Sequence, residues 1–360
     1  MGTPPITLHL RPSIALIKSP FSFSSSHRFE MSSGSLPPLP DGRVVLGIGS
    51  ATVDFLAAVA SYPKPDDKIR STSAKIQGGG NAGNALTCAA RLGLKPRLIS
   101  KVADDSQGKG ILEELEGDGV DSSFVVVSEG GNSPFTYIIV DDETKTRTCI
   151  HTPGYPPMIP GDLTELKLLS ALDGARLVYF DGRLYETALV VAQEAWTGAP
   201  SLPSALCSML LKLPKIKFVV VTLGEDGCMM LERSVCENAE SEEVDVDDLL
   251  ETLKHKKNID TAIPTCVSSS EVKLRAKGIG TVHGRLLLGT AEKIPSSELI
   301  DTTGAGDAFI GAVLYALCAN MPPEKMLPFA AQVAGIGCRA LGARTGLPLR
   351  TDPRLYSFLV

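Results

Sequence analysis

The sequence predicts an α/β fold with three layers, a mostly parallel central sheet carrying helices on both faces. Three observations point there. Residues 44–49 form a short apolar run ending in glycine, the pattern of a strand buried on both faces. Strand-like runs then alternate with helical ones, starting with a small-residue helix at 82–92 closed by Gly93 and a strand at 96–102. Such alternation implies crossover connections and hence parallel strands. Last, the chain ends in two apolar helices, 305–320 and 323–341.

The elements between follow in order. A helix at 106–116 has Ser106 as its cap and Gly117 past its end. Strands are predicted at 124–127, 136–140 and 146–150, the last two paired around Asp141-Asp142-Glu143. A strand at 176–180 precedes helices at 185–195 and 201–212. Strands at 218–222 and 228–231 are joined by Glu225-Asp226-Gly227, where Asp-Gly suits a hairpin. The two consecutive helices, with no strand between them, break the alternation. Residues 234–280 also stand apart. Acidic residues from Glu237 to Glu251 precede Lys254, Lys256, Lys257 and Ser268-Ser269-Ser270, and this composition predicts a solvated, flexible insertion.

Composition excludes several classes. The 360 residues are 43% hydrophobic and 21% charged, too apolar for a wholly disordered chain. A net charge of -6 gives no general attraction for nucleic acid or an anionic membrane, so neither is expected as a partner. No apolar run reaches the roughly 18–20 residues of a membrane-spanning helix. The 8 cysteines include no C-x-x-C pair and the 5 histidines are scattered, so no zinc set is visible. Cys88, Cys318 and Cys338 read as buried, reduced thiols. Residues 1–41 differ from the rest. No acidic residue precedes Glu30, while Arg11, Lys18, Arg28 and many serines do. That is the composition of a transit peptide for a plastid or mitochondrion. The other readings are a disordered tail or a start at Met31, which would leave the protein cytoplasmic.

The chemistry concentrates in two glycine-rich stretches. Asp301-Thr302-Thr303-Gly304-Ala305-Gly306-Asp307 opens the first of the closing helices. Glycines at a helix start let backbone N–H groups approach an anion, and the helix dipole favours negative charge there. A carboxylate beside such a hole can take a proton from an alcohol while the hole holds phosphoryl oxygens. The second stretch is Gly78-Gly79-Gly80-Asn81-Ala82-Gly83-Asn84. Its glycines permit close approach to a ligand, and Asn84 offers both a donor and an acceptor to vicinal hydroxyls. Asp54 is placed at the carboxyl edge of the first strand, where open α/β sheets bind ligands.

Together with Val221-Thr222-Leu223-Gly224-Glu225-Asp226-Gly227, these motifs resemble the ribokinase, or PfkB, family of carbohydrate kinases over residues 42–350, apart from the acidic insertion. The resemblance implies one kinase domain over 42–360 and ATP-dependent phosphorylation of a hydroxyl on a small sugar or polyol. It makes Asp307 the general base and Gly304, Ala305 and Gly306 the anion hole. Asp54, Gly79, Gly80 and Asn84 would hold sugar hydroxyls, and Thr222, Gly224 and Gly227 the nucleotide. Mg²⁺ would be held largely by phosphates and water. Asp301 and Thr303 match a monovalent-cation (K⁺) site of some members. A small β lid would come from about 55–77 and 134–150, and lid-mediated homodimers occur in such proteins. Asp181-Gly182-Arg183 would face the substrate. Nucleoside acceptors fit the same pattern.

One departure is clear. The family carries a further strand–helix–strand unit, with an Asn-x-x-Glu motif, between the strands matching 176–180 and 218–222. The segment 181–217 contains no such motif and is shorter than the resemblance implies. A segment is therefore expected to be missing near Ala195–Trp196. An impaired catalyst, or a ribokinase-fold binding or regulatory protein, is the alternative to an active kinase.

Overall fold

The computed structural model describes residues 36–181, 199–214, 216–234, 242–258 and 261–360, with the backbone of 14–16. The expected helix at 185–195, Gly182, Arg183 and most of the N-terminal extension lie outside the described residues.

The strands, in chain order, are β1 (Ile14–Leu16), β2 (Val44–Ile48), β3 (Thr52–Val59), β4 (Ser73–Gly79), β5 (Lys95–Ile99), β6 (Lys101–Ala103), β7 (Val126–Ser128), β8 (Phe135–Asp141), β9 (Arg147–Thr152), β10 (Leu177–Phe180), β11 (Phe218–Thr222), β12 (Cys228–Arg233), β13 (Glu243–Asp245), β14 (Cys266–Ser268), β15 (Val272–Ala276) and β16 (Gly280–Gly289). The helices are α1 (Asn81–Arg91), α2 (Ser106–Gly117), α3 (Glu165–Leu172), α4 (Leu202–Lys212), α5 (Val246–Lys256), α6 (Ala305–Cys318), α7 (Pro323–Gly337) and α8 (Tyr356–Leu359).

The parallel half of the sheet is β10-β2-β5. As expected of strands covered on both faces, β2 buries its three central residues in succession. The other half runs β1-β11-β12-β16-β15-β13, with β14 also on β16, and only β13 and β15 pair in parallel. No ladder joins β10 to β11 among the described residues. β1 pairs antiparallel with β11, Ile14 opposite Val221 and Leu16 opposite Val219. The discontinuity falls across the segment that the sequence marks as short.

A third sheet, β4-β3-β8-β9, is built from the segments expected to supply a lid and is called the lid sheet below. Its inner face buries Leu56, Ala58, Ile138 and Val140 against Leu341. Its outer face carries Ile76, Phe55, Tyr137 and Ile150 in register across all four strands.

The largest core packs α1, α6 and α7 with both halves of the central sheet. Cys88, Cys318 and Cys338 are buried free thiols, and burial pushes Cys88 up to about 12 and the other two to about 11. They are packing residues.

Two expectations are corrected here. The cap of α2 is Asp105, not Ser106, because the Asp105 carboxylate accepts Gly108 N–H at 2.6 Å and also Ser133 N–H at 2.8 Å. It thus ties the helix start to the strand that begins the lid's second half. The described residues between 243 and 280 form regular elements and bury apolar side chains, which the composition did not predict. They supply β13, α5, β14 and β15, and bury Val246, Leu253, Val272, Leu274 and Ala276 in a second core with α4 and β11. Charge at the exposed positions dominates the composition, but each element keeps one apolar face. In β15 the buried Val272, Leu274 and Ala276 alternate with Lys273 and Arg275.

Candidate active site

The site forms where α1 and α6 begin side by side. Both helices start on a glycine in the left-handed region, Gly80 (φ 85°) and Gly304 (φ 75°). Neither glycine supplies a side-chain cap, whereas α2, α3, α4 and α5 are capped by Asp105, Thr164, Ser201 and Asp245. The first N–H groups of a helix have no partner within it. On α1, Asn81 N–H donates to Ser50 Oγ at 3.2 Å and Gly83 N–H to Ser50 O at 3.1 Å, and on α6 Ala305 N–H donates to Thr302 O at 3.2 Å, so the anion-binding capacity of α6 rests on the N–H groups after Ala305, where the helix dipole adds to the attraction.

Asp307 lies in the first turn of α6 and is 8% exposed. Its Oδ2 accepts a hydrogen bond from Asn84 Nδ2 at 3.0 Å, joining the two glycine-rich stretches. Burial raises the Asp307 carboxyl to about 7, with the nearby charges of Asp181 and Asp54 adding to the rise. The Asn84 hydrogen bond and the Arg147 charge oppose it. A buried carboxyl that ionises near neutrality suits proton transfer at physiological pH.

Asp54 is buried as expected, but its place differs from the expectation. β2 ends at Ile48, so Asp54 belongs to β3 and is carried by the lid itself. Its Oδ1 accepts from Thr52 Oγ1 at 3.0 Å, and Gly79 faces its carboxylate closely enough that any side chain there would collide with it. Burial raises the Asp54 carboxyl, which Thr52, Arg344 and Thr136 oppose.

Asp301 is 1% exposed. Its Oδ1 accepts Thr303 N–H at 2.8 Å and Thr303 Oγ1–H at 2.7 Å, and its Oδ2 accepts Gly342 N–H at 2.8 Å. The carboxylate pins the anion-hole loop to the 342–346 loop. These three bonds leave Oδ2 with one further acceptor position, and no step below uses a monovalent cation. Arg147, on the lid strand β9, donates to Thr302 Oγ1 at 2.7 Å and so links lid and loop. Asp181 follows β10 and accepts Ser50 N–H at 2.6 Å.

Among the described residues no group of three or more His, Cys, Asp or Glu is arranged to hold a metal ion. A divalent ion would take its ligands largely from phosphate and water. Gly224 (φ 63°) and Gly227 (φ 94°) form the turn between β11 and β12, and Gly227 packs on the backbone of 289–291. No hydrogen bond or ion pair among the described residues joins that turn to Asp307.

Sequence reasoning missed Arg344. It is 2% exposed, donates from Nε to Asn84 Oδ1 at 3.0 Å and from Nη2 to Gly79 O at 2.9 Å, and pairs with Glu114 at 3.4 Å. The available signal was indirect. Gly78 and Gly83 are glycines because a side chain at either would overlap the Arg344 guanidinium.

An α/β core, a four-stranded sheet and a buried carboxylate at a glycine-led helix start agree with the class of phosphotransferase that the sequence motifs resemble. Comparison with known proteins gives the family. The model of the pfkB family of carbohydrate kinases matches residues 44–197 and 286–350, more than half of the chain, and the chain belongs to that family. The match breaks off at 197, next to Ala195–Trp196, and leaves out Thr222, Gly224 and Gly227. The chain is 24% identical to ribokinase of Bacillus subtilis, over 86% of this chain and 98% of that protein. It is 25% identical to ketohexokinase of Mus musculus, over 83% and 97%. Its fold matches the crystal structure of ribokinase from Thermotoga maritima with a TM-score of 0.57 at 20% identity, covering 88% of this chain and 99% of that one.

Proposed function

We propose that the protein transfers the γ-phosphoryl group of ATP to a hydroxyl of a small sugar or polyol, with Asp307 as the general base. The observation that carries this reading is the buried Asp307–Asn84 pair at the glycine-led starts of α6 and α1. Asp54 and Asn84 hold acceptor hydroxyls, aided by the close backbone of Gly79 and Gly80. This orients one hydroxyl toward Asp307, which takes its proton as the oxygen attacks phosphorus in line. The Gly304-Ala305-Gly306 backbone faces the phosphoryl oxygens, with Ala305 N–H engaged by Thr302 O at 3.2 Å and Gly306 N–H donating to the charge that builds up on them. Mg²⁺ supplies further charge neutralisation when bound with the nucleotide. Arg147 tethers the lid over the loop, which excludes water from the transfer. Thr222, Gly224 and Gly227 are assigned to the nucleotide on their motif alone. The exposed row Ile76, Tyr137 and Ile150 on the lid supports a homodimer, which light scattering would detect.

The test is ADP formation with Mg²⁺-ATP across ketoses, aldoses and nucleosides, with Asp307→Asn alongside. Acceptor-dependent turnover that is lost in the variant is expected for a sugar. Turnover with nucleosides alone would move the acceptor class, and none with any acceptor would overturn the reading.

A second reading is supported by the break in the family match at 197 and the interrupted ladder between β10 and β11. In it, this chain lacks a segment near Ala195–Trp196 and catalyses more slowly than a form that contains it. Sequencing the transcript across these codons tests the idea. A longer message is expected, and a uniform short message would remove the second reading.

A further inference from the structure

Arg344 has no place in the chemistry above, yet it is buried more completely than the base itself. A guanidinium taken out of water must spend its donors on acceptors. Arg344 does so on three elements at once. Its Nη2 bonds to Gly79 O, its Nε to Asn84 Oδ1, and its Nη1 faces Glu114 Oε1 on α2. Glu114 in turn accepts Gly78 N–H through Oε2 at 2.5 Å. Burial lowers the pKa of Arg344, which Glu114, Asp118 and Asp54 oppose, and a guanidinium keeps its proton in such settings.

The consequence lies in Asn84. A side-chain amide has an acceptor end and a donor end, and choosing a partner for one fixes the other. With Oδ1 held by Arg344 Nε, Nδ2 is the end that meets Asp307 Oδ2. Rotated by half a turn, the amide would set N–H against N–H on one side and oxygen against carboxylate on the other. We propose that Arg344 is a positioning residue for the base: by engaging Asn84 Oδ1 it turns the amide so that Nδ2 donates to Asp307 and stabilises the proton-accepting carboxylate. The catalytic meaning rests on Asp307 being the base, whereas the geometry does not.

Several other groups bear on Asp307 and are retained in the test. Asp54 approaches from β3, Asp181 and Tyr179 from β10 and its end, Arg147 from β9, and Cys88 from α1. The experiment must therefore separate a direct charge effect of Arg344 from one relayed by Asn84. Carboxyl ¹³C NMR follows the titration of Asp307, its resonance identified by its loss in Asp307→Asn. Arg344→Met and Asn84→Ala are each expected to raise the Asp307 midpoint by about one pH unit, the size of a lost hydrogen bond to a charged group. The double variant is expected to match Asn84→Ala alone. An Arg344→Met effect that persists without Asn84 would make Arg344 a direct charge and overturn the proposal, as would a folded Arg344→Met with the unchanged midpoint. Should Arg344→Met not fold, Arg344→Lys keeps a cation beside Glu114 but lacks the planar fork. The same rise is expected there, and an unchanged midpoint overturns the proposal. The titration uses neither ATP nor acceptor, so failure of the kinase reading would show in the turnover panel and leave this result standing.

Discussion

Replacing Asp307 by asparagine is expected to remove acceptor-dependent turnover and, at pH 8, to make the protein more heat-stable. The first effect is the loss of a general base, roughly 10²–10⁴-fold. The second follows from linkage. Folded Asp307 ionises at about 7 instead of 3.8, because burial penalises its charge. Between those values the folded state holds a proton that the unfolded state has released. Stability is therefore highest at low pH as far as this group is concerned, falls as pH rises toward 7, and levels off above it. The cost of ionising the buried carboxyl approaches ~4 kcal/mol at pH 8. Asparagine keeps the shape and a carbonyl acceptor for Asn84 Nδ2 but carries no charge. Thermal melts should show a gain of several degrees at pH 8 and a much smaller one at pH 5. Equal melting of the two proteins at pH 8 would contradict the assigned burial. In the wild type, kcat should rise about tenfold per pH unit up to neutrality and then flatten.

Gly311→Val is expected to produce the largest loss from a residue that touches no substrate. Gly311 lies on α6 where α1 crosses it, and a Cβ there would stand 2.5 Å from Ala85 O and 2.6 Å from Cys88 Cβ. Neither neighbour is a flexible side-chain tip, so the helices must separate. Overpacking of this kind costs ~1–3 kcal/mol, and a β-branched side chain belongs at the upper end. The functional loss is expected to exceed the stability loss. Asn84 immediately precedes Ala85, and Asp307 lies one helical turn before Gly311, so spreading the helices breaks the 3.0 Å hydrogen bond between them. Turnover should fall at least tenfold at temperatures where circular dichroism shows a folded protein. Gly110→Ala on α2, with open space around it, is the control and should leave both properties intact.

The parts of this site that were legible in the sequence are those whose signal is local. Glycines followed by an apolar helix mark the starts of α1 and α6 wherever they fold, and Asp-Gly marked the β11–β12 turn. Asp54 was identified but misplaced, because the bend between β2 and β3 spans only three residues, and Gly49 marks the end of the core strand without showing that a new strand begins at Thr52. The region 243–280 was misjudged because its charges were weighed together. Read by face, Val246 and Leu253 are two helical turns apart and the β15 residues alternate strictly. Arg344 could not have been found by any period or motif. Its role exists only once α1, α2, β4 and the loop after α7 come within hydrogen-bonding distance.

The short strand β1 links the history of the chain to its architecture. It lies in the segment whose composition is that of a leader for import, yet it hydrogen-bonds to an edge of β11 that no other described strand pairs with. A peptidase that trimmed such a leader would also strip the covering from a row of backbone donors and acceptors on β11. The protein before trimming and the protein after it would then differ in their tendency to self-associate, with the precursor the better protected of the two.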